Sequence, residues 1–85
     1  MGRTITPAHA IEYVVDNGRW TPAGWDAKHA GRPTAANLAA HCQLLEDSTM
    51  PGGCNEHLGP TRILAARIVT NRGERREVAA YRRAA

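Results

Sequence analysis

The sequence predicts an α+β fold: a small single domain with one main helix packed on a C-terminal antiparallel β-hairpin, and an additional N-terminal helix. Three observations carry this. Residues 35–49 combine strong helix formers with an apolar stripe at helical spacing. Residues 61–70 and 74–83 are built from Ile, Val, Thr, Ala and Tyr around a glycine-containing turn. At 85 residues, the chain has room for one hydrophobic core.

In chain order, Thr6-Pro7 is a helix-start signal, a capping hydroxyl followed by Pro at the first helical position. Ile11, Val14 and Val15 fall to one side of such a helix, and Asn17-Gly18 supplies a left-handed stop. A helix over about residues 7–16 is expected. The alternative is a hairpin turning at Asn17-Gly18, because Tyr13-Val14-Val15 are strand formers; Pro22 would then confine the return strand to a short edge.

Residues 19–33 contain Trp20, Pro22, Gly24, Trp25, Gly31 and Pro33, the composition of an ordered loop with at most one short helix ending at Gly31. In a chain without Phe, Trp20 and Trp25 serve as core closures, each able to bury about 200 Å². Their functional alternative is a stacking platform for nucleic-acid bases.

Thr34 caps the main helix, about residues 35–49, whose stripe is Ala35, Leu38, Cys42 and Leu45 with Ala39 beside it. Glu46 and Asp47 oppose the helix dipole, so this end should fray or hold something basic; otherwise the pair is a solvated helix end. Met50-Pro51-Gly52-Gly53 terminates the helix, and residues 50–60 form a loop.

In the hairpin, a three-residue turn Asn71-Arg72-Gly73 pairs Thr70 with Glu74. Counting from there, Leu64, Ala66, Ile68, Val78 and Ala80 share the core face. Arg67 then stands opposite Glu77 on the outer face, with Val69, Arg75, Ala79 and Tyr81. An opposed charge pair across strands contributes about 0.2–1 kcal/mol.

Arg occurs ten times and Lys once, a bias expected of GC-rich codons, so single arginines carry little weight. Their placement carries more. Residues 1–56 have a net charge of −2 and residues 57–85 a net charge of +5. Clustered charge of one sign bears on partners. The candidate binding residues are Arg67, Arg72, Arg75, Arg76, Arg82 and Arg83. Arginine's planar fork suits carboxylate and phosphate alike.

Other chemistries find less support. His41, Cys42, Cys54 and His57 are metal-ligand types, and Cys54-x-x-His57 is a permitted spacing. However, adjacent helical residues His41 and Cys42 diverge by about 100°. No strand–elbow–helix context surrounds either cysteine, and Gly52-Gly53 follows a helix instead of opening one. Neither a double-stranded-RNA-binding nor a helix-turn-helix signature can be matched to residues. No run of about 18 apolar residues exists, and Met1-Gly-Arg-Thr-Ile-Thr-Pro7 has no apolar stretch of signal-peptide type. A cytoplasmic protein with reduced cysteines and no membrane association is expected.

The functional expectation is a non-catalytic interaction module with no cofactor, of the kind found among small accessory or regulatory proteins of bacteria and phages, docking an acidic protein surface through its Arg-rich hairpin. Nucleic-acid binding by the same hairpin is the first alternative. A zinc-stabilised domain using Cys42, Cys54 and His57 is the second.

Overall fold

A computed structural model describes residues 8–18, 23–71 and 73–84. The fold is mixed: one main helix and a four-stranded antiparallel sheet. The elements are β1 (His9–Val15), β2 (Ala23–Gly24), α1 (Ala27–Ala30), α2 (Ala35–Ser48), a 3-10 turn (Glu56–Leu58), β3 (Ile63–Thr70) and β4 (Glu77–Arg82). The sheet order is β2-β1-β3-β4. No helix among the described residues is long and apolar enough to cross a membrane.

The expected N-terminal helix is a strand. β1 lies inside the sheet between β2 and β3, and its apolar residues alternate with a period of two, as a half-buried strand requires. Ile11, Tyr13 and Val15 turn inward, opposite Ile68, Ala66 and Ile63 of β3. The helical reading grouped Ile11 with Val14 and Val15; Val14 in fact points outward and is 57% exposed. Tertiary pairing with β3 outweighs the helix-start signal at Thr6-Pro7, which lies outside the described residues. The alternative hairpin comes close to what forms. Gly18 takes a left-handed φ of 66°, and among the described residues the return strand β2 pairs through Ala10↔Gly24 and Ile11↔Ala23.

α2 forms as the sequence implies. Thr34 accepts a hydrogen bond from the Asn37 backbone N–H at 3.2 Å, and Leu38 and Cys42 are fully buried. They meet Ile11, Trp25, Ile63, Ala66, Ile68 and Ala79 in one core cluster, with Tyr13, Val15, Leu45 and Tyr81 packed at its margin. The short helix α1 starts at Asp26, whose carboxylate caps Lys28 N–H, and ends at Gly31. Trp25 closes the core at 4% exposure, its indole N–H donating to the Gly31 carbonyl at 2.8 Å.

The hairpin exists, but in a different register. Its pairs run Ala65↔Arg82, Ala66↔Tyr81, Arg67↔Ala80 and Ile68↔Ala79, with a bulge before Val69↔Glu77. The predicted pairing of Thr70 with Glu74 and Arg67 with Glu77 does not form. Instead Thr70 N–H donates to the Arg76 carbonyl at 2.8 Å, its hydroxyl donates to the Glu74 carbonyl, and that hydroxyl accepts from Arg76 N–H. The Thr70 hydroxyl thus closes a longer loop than the three-residue turn. The slip spans an odd number of residues, so β4 is turned over: Ala79 and Tyr81 face the core, while Val78 and Ala80 are exposed. On β3 a second irregularity, between Val14 and Val15 of its partner, brings Ile63 inward and leaves Leu64 42% exposed.

The loop after α2 is held by its own backbone. Asn55 N–H donates to the Ser48 carbonyl at 2.8 Å, and Gly53 N–H to the Met50 carbonyl. A Cβ at Gly53 would stand 2.2 Å from the Ser48 carbonyl oxygen. Gly53→Ala must therefore displace the loop, and an overpacking cost of about 1–3 kcal/mol is expected. Urea denaturation checks this as a lowered midpoint with unchanged slope.

Candidate interaction surface

α2 covers one face of the sheet; on the other, Val14, Arg67, Ala80 and Arg82 are exposed and Val69 is buried. Because pairing is antiparallel, residues directly opposite one another point to the same side, and the register lays out the open face as three cross-strand rows. The first is Val14–Ala65–Arg82, the second Glu12–Arg67–Ala80, and the third Ala10–Val69–Glu77. Arg67 stands at the centre, with Ala65, Val69 and Ala80 as its small neighbours. A concavity of about 480 Å³ lies over these rows, where Arg67 and Arg82 line it together with Glu12, Glu77, Val14, Ala65 and Ala80.

Glu12 holds two of the cations. Its carboxylate accepts from Arg67 Nε at 2.6 Å and from Arg75 Nη2 at 3.3 Å. The hydrogen bond from Arg67 is the main reason the Glu12 carboxyl sits below its ordinary pKa, helped by the positive charges of Arg67 and Arg75. A depressed carboxylate contributes stability above its unfolded pKa and loses it as pH falls through the folded value. Both guanidiniums remain more than half exposed, so these pairs exchange readily with solvent or with another carboxylate. The bond through Nε leaves the terminal amino groups of Arg67 without a hydrogen-bond partner among the described residues.

The other predicted site residues disperse. Arg82 joins Arg67 and Arg75 on the open face. Arg76 lies in the loop, 3.4 Å from Glu74. Arg83 reaches the opposite side of the sheet and pairs with Glu46 of α2. Arg72 and Trp20 lie outside the described residues. Trp25 is core, which leaves no exposed indole there for stacking. Cys42 is in the core as well, its thiol pushed up to about 11 by burial and by the Glu46 charge. Cys54 is exposed in the loop after α2, and among the described residues no three His, Cys, Asp or Glu side chains converge as a metal site would need.

No family model, characterised protein or solved structure matches the chain.

Two features were missed at the level of sequence. The first is Glu12, whose role depends on β1 being a strand beside β3. The signal was the alternation Ile11-Glu12-Tyr13, with one charge between two inward residues. The second is Glu46, read as a possible solvated helix end. It is 8% exposed, and its carboxylate accepts from the Ile63 backbone N–H at 2.7 Å and from the Arg83 guanidinium. The expectation that this end of the helix would hold something basic describes what it does.

A smaller cluster lies beside α1. His41 Nε2 is 3.2 Å from the Tyr13 hydroxyl, and its ring meets Trp25 edge-on with centroids 5.2 Å apart. Burial pushes the His41 pKa down, favouring the neutral ring. Neighbouring Asp26 and His29 are 2.5 Å apart and exposed. The Tyr13–His41 and Trp25–His41 contacts tie β1 and the start of α1 to α2.

Proposed function

We propose that this chain is a small non-catalytic interaction module that docks an acidic protein partner on the open face of its sheet, through Arg67, Arg75 and Arg82. The observation that carries this reading is the central position of Arg67: a guanidinium held by Glu12 through Nε, its terminal donors without a partner among the described residues, with Ala65, Ala80 and Val14 around it. Preorganised arginine is the side chain best suited to a partner's carboxylate. The non-catalytic character rests on how the reactive groups are used: Cys42 packs in the core and Glu46 binds backbone and Arg83.

Protein is preferred over nucleic acid because Glu12 and Glu77 share this face and Glu74 lies in the adjoining loop. A phosphate backbone laid across it would meet those carboxylates, whereas a protein surface can match a mixed pattern.

Fluorescence anisotropy with three labelled probes tests the choice: an unstructured Glu/Ser peptide, a DNA duplex and a single-stranded RNA, at low and physiological salt. Binding of the peptide, weakened at least several-fold in Arg67→Ala, is expected. Nucleic-acid binding that persists at physiological salt, falling by about 0.9 log unit per log unit of salt for each phosphate contacted, would replace this reading with the alternative.

A further inference from the structure

The sheet ends at β4, so among the described residues only β3 flanks that strand. Arg83 N–H donates to the Leu64 carbonyl at 2.9 Å, one step beyond the pair Ala65↔Arg82. Antiparallel alternation then turns the backbone of Tyr81 and Ala79 toward β3, and aims the N–H and C=O of Ala80 and Arg82 away from the sheet. Little blunts this edge: β4 contains no proline, its bulge lies at the Glu77 end, and its middle, Val78 to Tyr81, is uncharged. Val78 is 43% exposed there.

The charges on β4 suit one particular neighbour. Glu77 and Arg82 both line the concavity on the face away from α2, and neither has an ion pair among the described residues. They stand at opposite ends of the strand, roughly 16 Å apart, too far to meet within one chain. An antiparallel copy of the same strand brings them together. We infer that two copies of this chain join edge to edge through β4, about a two-fold axis that is perpendicular to the sheet and passes through Ala80. In that register the two Ala80 residues exchange both backbone hydrogen bonds. Arg82 lies opposite the partner's Val78, its aliphatic stem covering that side chain and its guanidinium reaching the partner's Glu77. Symmetry repeats each contact. Charge selects the register: an axis through Ala79 sets Arg82 against the partner's Arg76, and one through Tyr81 brings the two Arg82 residues side by side, like charges in both cases. The axis keeps both faces away from α2 on the same side, so the dimer presents two Arg67–Glu12 pairs on one continuous sheet. This assembly is independent of the acidic docking proposed above.

Sedimentation velocity on the whole chain, from micromolar to near-millimolar concentration, tests it, with circular dichroism establishing that each variant folds. The wild-type chain is expected to reach twice its 9.2 kDa at the upper concentrations. Ala80→Pro removes an outward N–H and no bond to β3, so it should fold but dimerise more weakly by about ten-fold or more. Arg82→Glu places a like charge beside the partner's Glu77 twice per dimer, and should weaken it about ten-fold. The double variant Glu77→Arg/Arg82→Glu has the wild-type net charge, and regains the dimer only if positions 77 and 82 meet across the seam. A monomer at every concentration overturns the inference. So does a dimer indifferent to Ala80→Pro, or a double variant no better than Arg82→Glu alone. A monomer that instead binds an extended Glu-rich peptide, and loses it in Ala80→Pro, gives the edge a foreign strand as its occupant; that overturns the dimer and leaves acidic docking standing.

Discussion

Glu46→Ala is expected to destabilise the domain by about 2–4 kcal/mol, the loss of the hydrogen bonds its buried carboxylate accepts, one of them from a buried backbone donor left unsatisfied. With stability of roughly 0.05–0.15 kcal/mol per residue, this is a large part of the margin of an 85-residue chain. The cost arises from what the carboxylate holds. One oxygen accepts both the Ile63 backbone N–H, at the buried start of β3, and the Arg83 guanidinium beyond the end of β4. Ile63 is itself fully buried, so without Glu46 its N–H has no water to turn to. Next to it, the Thr49 hydroxyl accepts from Thr61 N–H and donates to the Glu46 carbonyl, tying the helix end to the same strand. Glu46→Gln keeps an acceptor for Ile63 and should lose less, about 1.5–3 kcal/mol, the worth of a charged hydrogen bond. Thermal melting checks both, at roughly 4–8 °C per kcal/mol for a domain of this size. Equal melting of Glu46→Ala and the wild type would mean the carboxylate is not bonded as described.

Ala79→Asp is expected to be more damaging still, about 3–5 kcal/mol, whereas Ala80→Asp is expected to be nearly silent. The two positions are neighbours of identical chemistry and differ only in face. Ala79 is 8% exposed in the core cluster, and an aspartate there would have to bury its carboxylate unpaired or expel it by reorganising β4. Ala80 faces the open side beside Arg67, where an aspartate finds solvent and a cation. The register read from the sequence predicts the reverse order of damage. Urea titrations of the two variants therefore decide which way β4 is turned.

The same pair of residues explains what the sequence could and could not say. β3 was legible as a strand because Ile63, Ile68 and Val69 are β-branched, and α2 because Thr34 and the Leu38/Cys42 stripe agree on one helix. β4 was legible as a strand but not in its orientation. Val78 with Ala80 and Ala79 with Tyr81 are both plausible inner faces, so hydrophobicity did not choose. The choice is made by Thr70, whose hydroxyl organises the loop, and by two bulges, which are tertiary features without a residue signature here. β1 was misread because seven residues are too few to separate a period of two from one of 3.6 when Val14 and Val15 are adjacent. That error hid the candidate site. The arginines were visible as a charge excess, but their sorting into Arg67, Arg75 and Arg82 on one face, with Arg83 on the other, depends on the true register and on Glu12.

The central pairing of the sheet joins His9 to Thr70 and Val15 to Ile63, partners roughly fifty to sixty residues apart. Closing so long a loop has an entropic cost before any contact repays it, and such non-local topologies fold slowly. During synthesis the first strand leaves the ribosome well before its neighbour exists. The nascent chain must wait, with Ile11, Tyr13 and Val15 without their β3 partners, until residues 63–70 have been added.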